Sequence, residues 1–353
     1  MRAWSPAGVL AERLAAQLLT GAPARDPVEV ARRLLAIQGQ DPRGARLAVR
    51  ARSTGLTAHD VDHALTEERS LVITWLNRGT LHLLASEDYF WLHSLTAPTL
   101  RTASARRLSQ EGVTPAAAER GVAAIERALA DEGPLDRAQL RERIASVGVR
   151  TEGQALVHLL LAASLRGAIV RGPMRGAQHA YVLVRDWLGA PAPVDRERAL
   201  IELARRYLSG HAPAEDRDLA KWAGLPLRDA RAGLAAIASE LRQRDDGLLE
   251  LARHPPSASA APELPPPRLL GAFDPLLLGW RSREALLDVH HQRIVTVNGI
   301  FRPFALVKGR ARATWMLSAG KVALEPFAAI TRSDERALRA DAQDVVRYLH
   351  HTD

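Results

Sequence analysis

A repeated order of elements, three helices followed by a pair of strands, constrains this chain more than any other feature of its sequence. In the first copy, apolar residues recur with a helical period in three segments and with a strand period in two: 9–19, 27–37, 57–68, 71–75 and 80–84. Asn77 and Gly79 lie between the two strands and suit a tight hairpin turn. This order is typical of a winged-helix module.

Two further copies follow at a spacing of about 70 residues, which is longer than the period of a solenoid repeat. In the second copy, strands at 168–171 and 180–184 bracket a glycine-rich turn at 172–176. This places Arg171 and Arg175 at the tip of a basic wing, where we expect them to contact DNA phosphates. The third copy is less complete, with three helices and one wing strand: 196–208, 214–223, 226–241 and 248–251.

A segment rich in Pro, Ala and Ser at 255–267 separates these copies from a C-terminal part in which strand patterns dominate. The predicted elements there are five short strands and a closing helix: 269–270, 294–297, 304–307, 313–317, 322–324 and 333–350. The sequence therefore predicts an α+β chain of three tandem winged-helix modules followed by a small β-barrel-like domain. The predicted domains are 1–112, 113–190, 191–256 and 268–353.

The formal charge of +8 and the pI of about 10.5 favour a polyanionic partner. Only three of the 48 basic residues are lysines, a bias that indicates either phosphate recognition by Arg or codon bias in a GC-rich genome. The chain has no cysteine, which excludes disulfides, thiol nucleophiles and cysteine-ligated zinc. Because there is no long apolar run and no signal peptide pattern, we expect a cytoplasmic protein without a membrane partner.

Two glutamines, Gln38 and Gln40, follow the predicted helix at 27–37 and bracket a glycine. Beyond a helix end, two such amides can converge on one small ligand, because each amide both donates and accepts hydrogen bonds. The alternative is an ordinary helix ending, with Gly39 as the stop and both glutamines in water. The neighbouring Asp41 is expected to point elsewhere and to act as a helix cap.

Polar residues of the first hairpin form a second candidate site. Arg78 and Thr80 are candidates for phosphate or sugar contact, and His82 is a candidate for supporting them. In the alternative interpretation, Thr80 and His82 occupy the polar face of a half-buried strand. The sequence alone leaves both interpretations open.

The C-terminal part adds three candidates for DNA contact. Arg281 and Arg283 alternate after a predicted turn, an arrangement that suits phosphate contact and equally suits a solvated loop. Asp274, which precedes a proline, is either a turn former or a site residue near the bound strand. We expect His290 and His291 to lie on a strand and to face its opposite sides, and no Cys or Asp/Glu cluster accompanies them in the sequence, so we expect no metal site.

Three blocks carry a resemblance to a known family. They are Ile-Gln-Gly-Gln-Asp-Pro at 37–42, Trp-Leu-Asn-Arg-Gly-Thr-Leu-His at 75–82 and Phe-Asp-Pro-Leu-Leu-Leu-Gly-Trp-Arg-Ser-Arg at 273–283. In this order, across nearly the whole chain, they resemble the AlkZ/YcaQ family of bacterial winged-helix DNA glycosylases. The resemblance implies three winged helices and a C-terminal β-barrel in a C-shaped clamp. It also implies excision of N7-alkylated purines, including bulky adducts or crosslinks made by alkylating natural products, and thereby self-resistance.

The family's catalytic motif is a glutamine, an apolar residue and a second glutamine, the last being aspartate in another branch. Gln38 and Gln40 match the outer positions, whereas Gly39 is smaller than the usual middle residue. An N7-alkylguanine already carries positive charge and leaves as a neutral base, so catalysis needs mainly an oriented water and electrostatic support. No lysine lies near the motif, which disfavours a Schiff-base lyase step.

The resemblance therefore predicts a monofunctional DNA glycosylase. It would act as a monomer on double-stranded DNA carrying an alkylated purine, without a cofactor or metal. The alternative is a non-catalytic DNA-binding protein, such as a transcriptional regulator, on the same scaffold. A regulator usually dimerises on palindromic half-sites, whereas three dissimilar modules in one chain suit a monomer. Duplex binding that weakens steeply with salt distinguishes both from a scaffold with no DNA role.

Overall fold

The computed structural model describes four stretches of the chain, residues 6–176, 178–191, 193–252 and 263–350. Residues 62–199 form a continuous compact unit, and 1–61 together with 200–353 form a discontinuous one. This grouping differs from the four predicted domains, whose boundaries stay a prediction. Within the described stretches, no helix combines the length and apolarity needed to cross a membrane. Most of the predicted linker at 255–267 lies outside the described residues.

The first segment of the discontinuous unit contains three helices and a short strand: α1 (Pro6–Ala16), α2 (Pro27–Leu34), β1 (Ile37–Gln38) and α3 (Pro42–Arg50). The carboxylate of Asp26 caps α2 by accepting from the backbone N–H of Val28. Leu35 then adopts a φ of 65°, which breaks the helical path. The predicted helix at 27–37 therefore runs three residues too far, and α3 was not predicted at all.

The continuous unit begins at Asp62, within the helix α4 (Ala58–Thr66). Its further elements are β2 (Leu71–Leu76), β3 (Thr80–Ala85), α5 (Tyr89–Gln110), α6 (Pro115–Glu132), α7 (Arg137–Ser146), α8 (Ala155–Leu165), β4 (Ile169–Arg175), β5 (Gln178–Leu183) and α9 (Val184–Trp187). Both predicted hairpins are confirmed, β2 with β3 and β4 with β5. They also pair with each other, because Ile73 of β2 lies opposite Arg171 of β4. The two hairpins therefore belong to one antiparallel sheet, in which the order of their strands is β3-β2-β4-β5.

The rest of the chain completes the discontinuous unit. Its helices are α10 (Arg196–His211), α11 (Asp216–Ala223), α12 (Leu227–Ala236), α13 (Pro275–Leu278), α14 (Glu284–Leu287), α15 (His291–Ile294) and α16 (Arg332–His350). Its strands are β6 (Leu241–Gln243), β7 (Leu249–Leu251), β8 (Arg268–Leu270), β9 (Phe304–Val307), β10 (Arg310–Ser318) and β11 (Lys321–Pro326). The strands β6 and β7 form a hairpin, and the other four form an antiparallel sheet in the order β11-β10-β9-β8.

The predicted strand at 294–297 is wrong. Ile294 ends α15 and is buried, whereas Val297 is fully exposed at the tip of a turn. The backbone N–H of Gly299 donates to the carbonyl of Thr296 in that turn, at 3.0 Å. A run of β-branched residues favours a strand only where a neighbouring strand pairs with it, and here the chain turns back on itself instead.

The core of the C-terminal sheet joins α3, from the first segment of the unit, to three elements near the C-terminal end of the chain. Leu47 of α3 packs with Ala305 of β9, Trp315 of β10 and Val345 of α16. The indole N–H of Trp315 also donates to the carbonyl of Leu270, at 2.9 Å. The helix α3, which follows the glutamine pair, is therefore held against the C-terminal sheet by apolar packing.

Candidate active site

The two glutamines meet in space. Gln38 ends β1 and is 5% exposed, whereas Gln40 is exposed. The Nε2 of Gln38 donates to the Oε1 of Gln40 at 2.7 Å, so the two amides converge, which is one of the two arrangements that the sequence left open. The alternative, with Gly39 as the stop of the preceding helix, is wrong, because α2 ends at Leu34 and the strand β1 lies between.

The amide pair is suited to holding a small polar molecule at the surface. The Oε1 of Gln40 accepts one hydrogen bond from Gln38, and a carbonyl oxygen has two lone pairs, so it can accept a second. Its Nε2 supplies donors on the exposed side chain. Neither amide titrates, so the pair can orient a water molecule but cannot act as a strong base.

Asp41 does not join the glutamines, as expected. Its Oδ1 accepts from the backbone N–H groups of Arg43 and Gly44 at 2.9 and 3.0 Å, which caps α3. The cap fixes the start of α3 directly after Gln40. The carboxylate next to the amide pair therefore has a structural role in holding it.

Ion pairs fix the other end of α3. The guanidinium of Arg52 donates to both oxygens of Asp274 at 2.8 and 2.9 Å, and both side chains are fully buried. Arg52 also donates to the Oε1 of Gln17, at 3.0 Å. Arg50 donates to Asp341 at 2.9 Å and to the carbonyl of Leu269, also at 2.9 Å. Sequence reasoning missed both arginines, because their partners lie more than 200 positions away.

Asp274 therefore occupies the place of a turn former. Besides its pairing with Arg52, it caps α13 by accepting from the backbone N–H of Leu276 at 2.9 Å. Its side chain has no exposed surface through which to contact DNA. The turn-forming interpretation agrees with this position, and the interpretation as a DNA-contacting residue conflicts with it.

The first hairpin places its three candidates at different depths. Arg78 and Thr80 are partly exposed at the turn, whereas His82 is 2% exposed. The Nδ1 of His82 donates to the carbonyl of Thr80 at 2.9 Å. Burial, together with the positive charge of Arg78, lowers the pKa of His82 to about 3, so its ring is neutral at neutral pH. His82 therefore supports the strand from inside and does not face solvent.

Asn77, which precedes Arg78, is a further polar residue of this hairpin that sequence reasoning treated only as a turn former. It has a φ of 52° and is fully buried. Within the described part of the chain, neither atom of its amide has a hydrogen-bond partner. A buried amide without hydrogen bonds costs free energy of folding. The only sequence signal for Asn77 was its position directly before Arg78 in the block at 75–82.

The two arginines of the hairpin β4–β5 lie in different positions. Arg171 does not lie at the tip, because β4 has a bulge between Arg171 and Met174 and continues to Arg175. Its guanidinium carbon lies 5.0 Å from the ring centres of both Trp75 and Tyr181. Arg175 is exposed beside the turn, and its Nη1 donates to the carbonyl of Pro134 at 2.5 Å. Of the two, only Arg175 has the position predicted from the sequence.

Arg281 and Arg283 differ in their surroundings. Arg281 is exposed and its Nη1 donates to the carboxylate of Glu215 at 2.7 Å. Arg283 is half-buried, donates to the carbonyl of Leu277 at 2.5 Å and lies 5.1 Å from the ring centre of Phe301. Burial lowers the pKa of Arg283, and it has no ion pair with an acid within the described stretches. Its positive charge is therefore available to an anion.

Three comparisons with known proteins identify what this chain is similar to. A family model described as DNA glycosylase AlkZ-like matches residues 31–348, which include the three blocks of the motif. An interstrand DNA cross-link repair glycosylase from Streptomyces sahachiroi is 26% identical over 364 residues, covering 96% of this chain and 95% of the relative. The solved structure of the Streptomyces sahachiroi DNA glycosylase AlkZ superimposes with a TM-score of 0.78 at 26% identity, over 99% of this chain and 97% of that one.

Proposed function

We propose that this chain, which belongs to the AlkZ-like family of DNA glycosylases, hydrolyses the N-glycosidic bond of N7-alkylated purines in double-stranded DNA. The observation that carries the proposal is the hydrogen bond of 2.7 Å between the buried Gln38 and the exposed Gln40. The Streptomyces relative is named as an interstrand DNA cross-link repair glycosylase, which supports bulky adducts and crosslinks as substrates. Removal of such lesions would give self-resistance to an alkylating natural product.

In the proposed mechanism, Gln38 and Gln40 hold the hydrolytic water. The alkylated base carries a positive charge, so the bond between its nitrogen and the sugar breaks with the electron pair going to the base. The water oxygen bonds to the oxocarbenium-like sugar carbon and loses a proton to solvent. Neutral amides are sufficient for this reaction, because the leaving base needs no protonation. We therefore infer a monofunctional glycosylase that uses no lysine, cofactor or metal.

DNA contacts are assigned to residues with accessible side chains. We propose that Arg78, Thr80, Arg175, Arg281 and Arg283 contact phosphates or sugars, and that His82 supports the hairpin from its interior. Asp274 is left out of this group because it is buried. Three winged-helix modules and a C-terminal β-barrel-like domain, working as a monomer, are the architecture that we propose for binding the duplex.

The test is base release from a duplex that contains one N7-methylguanine. Wild type is compared with Gln38→Ala and Gln40→Ala, and with Gln343→Ala, which removes an exposed glutamine of α16, as the matched control. We expect both motif variants to lose about 100-fold or more in rate, as removal of one positioned polar group does elsewhere. The control should keep the rate of wild type.

The opposite result would favour the non-catalytic alternative. No release of N7-methylguanine or of a bulkier N7 adduct, with salt-sensitive duplex binding intact, would identify a DNA-binding protein without glycosylase activity on these lesions. Equal loss in all three variants would also contradict the assignment of the amide pair as the site.

A further inference from the structure

Arginines that lie away from solvent in this protein usually face a carboxylate. Arg52 pairs with Asp274, Arg50 with Asp341, and Arg244 with Asp246. Arg33 is an exception, because burial lowers its pKa and no ion pair with an acid accompanies it within the described residues. A cation removed from water without an opposite charge destabilises the fold unless something outside the chain neutralises it.

Arg33 lies in the last turn of α2 and faces α10. Its Nη1 donates to the hydroxyl oxygen of Ser209 at 3.2 Å, which is a neutral partner. Beside it, the Nη2 of Arg206 donates to the backbone carbonyl of Arg32 at 3.0 Å. These four residues line one open groove of about 510 Å³, which we call the Arg33 groove.

The acids near the Arg33 groove have other partners. Glu29 also lines it, and its Oε2 accepts from the backbone N–H of Arg25 at 3.1 Å. Glu202 pairs with Arg206 at 3.5 Å and with Arg205 at 3.1 Å. Neither acid forms an ion pair with Arg33, so the groove keeps a net positive charge.

The Arg33 groove is formed by rigid elements. A Cβ added to Gly210 would lie 2.1 Å from the carbonyl oxygen of Arg33, so the backbones of α10 and α2 touch directly there. This contact holds Ser209 next to the Arg33 guanidinium. The site therefore needs no rearrangement to receive an anion.

We propose that the Arg33 groove binds a backbone phosphate of the DNA, an inference that rests on the proposed function. Arg33 supplies the uncompensated charge and Ser209 a hydroxyl that can donate to a phosphate oxygen. Arg33 precedes Gln38 by five positions, so the two are at most about 18 Å apart along an extended chain. Because phosphates repeat about every 3.4 Å of helix axis on each strand, the bound phosphate lies within a few nucleotides of the lesion.

The experiment is the salt dependence of the Kd for an undamaged duplex, which requires no catalysis. Wild type is compared with Arg33→Gln, with Arg33→Lys, and with Arg205→Gln as the matched control. Arg205 lies on α10, the helix that carries Ser209, and its charge is neutralised by Glu202 and Glu240. Loss of one phosphate contact should reduce the slope of log K against log salt by about 0.9 in Arg33→Gln. Arg33→Lys should keep most of the slope, and Arg205→Gln should keep all of it.

Thermal unfolding provides the second measurement, because the Tm would fall on substitution of Arg33 if its role were purely structural. If Arg33 serves the DNA, Arg33→Gln removes a poorly compensated charge and its Tm equals or exceeds that of wild type. A lower Tm together with an unchanged salt slope overturns the inference, and so does the same slope change in Arg205→Gln. An unchanged slope in Arg33→Gln, with base release by wild type intact, contradicts this inference alone. Absence of salt-sensitive binding by wild type contradicts the proposed function itself.

Discussion

The two ends of α3 show opposite uses of charge. Before its first residue lie Gln38 and Gln40, which are neutral and joined by one hydrogen bond at the surface. At and after its last residue lie Arg50 and Arg52, which are buried and paired with acids of the C-terminal part. One short helix thus separates an uncharged pair of amides from an ionic anchor.

This difference has a chemical explanation. A cationic base needs little help to leave, so a catalytic site for it can be built from amides that orient water. Orientation is useful only if the backbone under the amides is fixed. The ionic anchor and the Asp41 cap fix the two ends of α3, so the protein places its charged groups where they position the site.

Breaking the anchor should have the largest effect on stability. Asp274→Asn leaves Arg52 buried without an opposite charge and should lower the free energy of unfolding by about 3–5 kcal/mol. Urea unfolding measures this, with Asp344→Asn as the control, because Asp344 pairs with Arg50 at a site that is 44% exposed. That control should lose about 1 kcal/mol or less. Similar losses in both variants would contradict the special role of the buried pair.

Shifting α3 itself should have the next largest effect. A Cβ at Gly44 would lie 2.3 Å from the carbonyl oxygen of Ala272, so Gly44→Ala must push α3 away from the sheet. We expect a loss of about 1–3 kcal/mol in unfolding free energy, accompanied by slower base release. Gly121→Ala is the control, because its added Cβ would meet the movable side chain of Leu159 at 3.1 Å. A Gly44→Ala enzyme with wild-type stability and rate would show that α3 is not held closely.

Low pH should destabilise the fold through its buried histidines, which are neutral like the amide pair and unlike the buried arginines. Burial, with the charges of Arg52 and Arg13, lowers the pKa of His211 to about 3. The unfolded chain, with a histidine pKa of about 6.5, therefore binds the proton more readily than the folded one. Stability is complete above about pH 6.5 and decreases as the pH falls towards 3, by roughly 2 kcal/mol at pH 5 for this group.

Unfolding measured at pH 7.5 and pH 5 tests this sign, with His211→Asn as the comparison. The variant loses ring packing at both pH values, because His211 stacks on Tyr207 with ring centres 4.6 Å apart. The difference between the two pH values should nevertheless be smaller in the variant than in wild type. An equal difference would show that His211 does not titrate in this range.

The smallest effect is expected at Arg281 and Arg283, which extend the contrast to paired and unpaired surface charges. Arg283→Gln removes a cation that has no acid partner in the described stretches, and it should reduce the salt slope of duplex binding by about 0.9. Arg281→Gln should reduce it less, because Glu215 already neutralises Arg281 at 2.7 Å. Equal slopes for the two variants would contradict the view that the unpaired arginine contacts phosphate.

Local signals in the sequence predicted much of the fold. The hairpin from Leu71 to Ala85 follows from alternating apolar residues around Asn77 and Gly79, and the structure confirms it. Asp136 caps α7 through a reciprocal pair of hydrogen bonds with Gln139, which is likewise a local interaction, between residues three positions apart. The end of α2 was predicted wrongly, because Leu35 and Ile37 continue an apolar pattern that the backbone leaves at Leu35.

The candidate site was predicted less evenly. The convergence of Gln38 and Gln40 was one of two alternatives, because their separation by one residue outside a helix allows it but does not require it. The position of Arg171 was not, since a bulge in β4 moves the turn beyond it. The groove at Arg33 was not predicted either, because α10 lies about 175 positions along the chain from α2 (Ser209 follows Arg33 by 176).

The sequence by itself determined what depends on neighbouring residues: helix caps, hairpin turns and the periods of the elements. Only the tertiary structure decided which charges are neutralised. Arg52 pairs with Asp274 across 222 positions, whereas Arg33 has no acid opposite it among the residues that the structure describes. The physical reason is that a charge–charge interaction depends on distance in space and on burial, and neither is encoded in the spacing of residues along the chain.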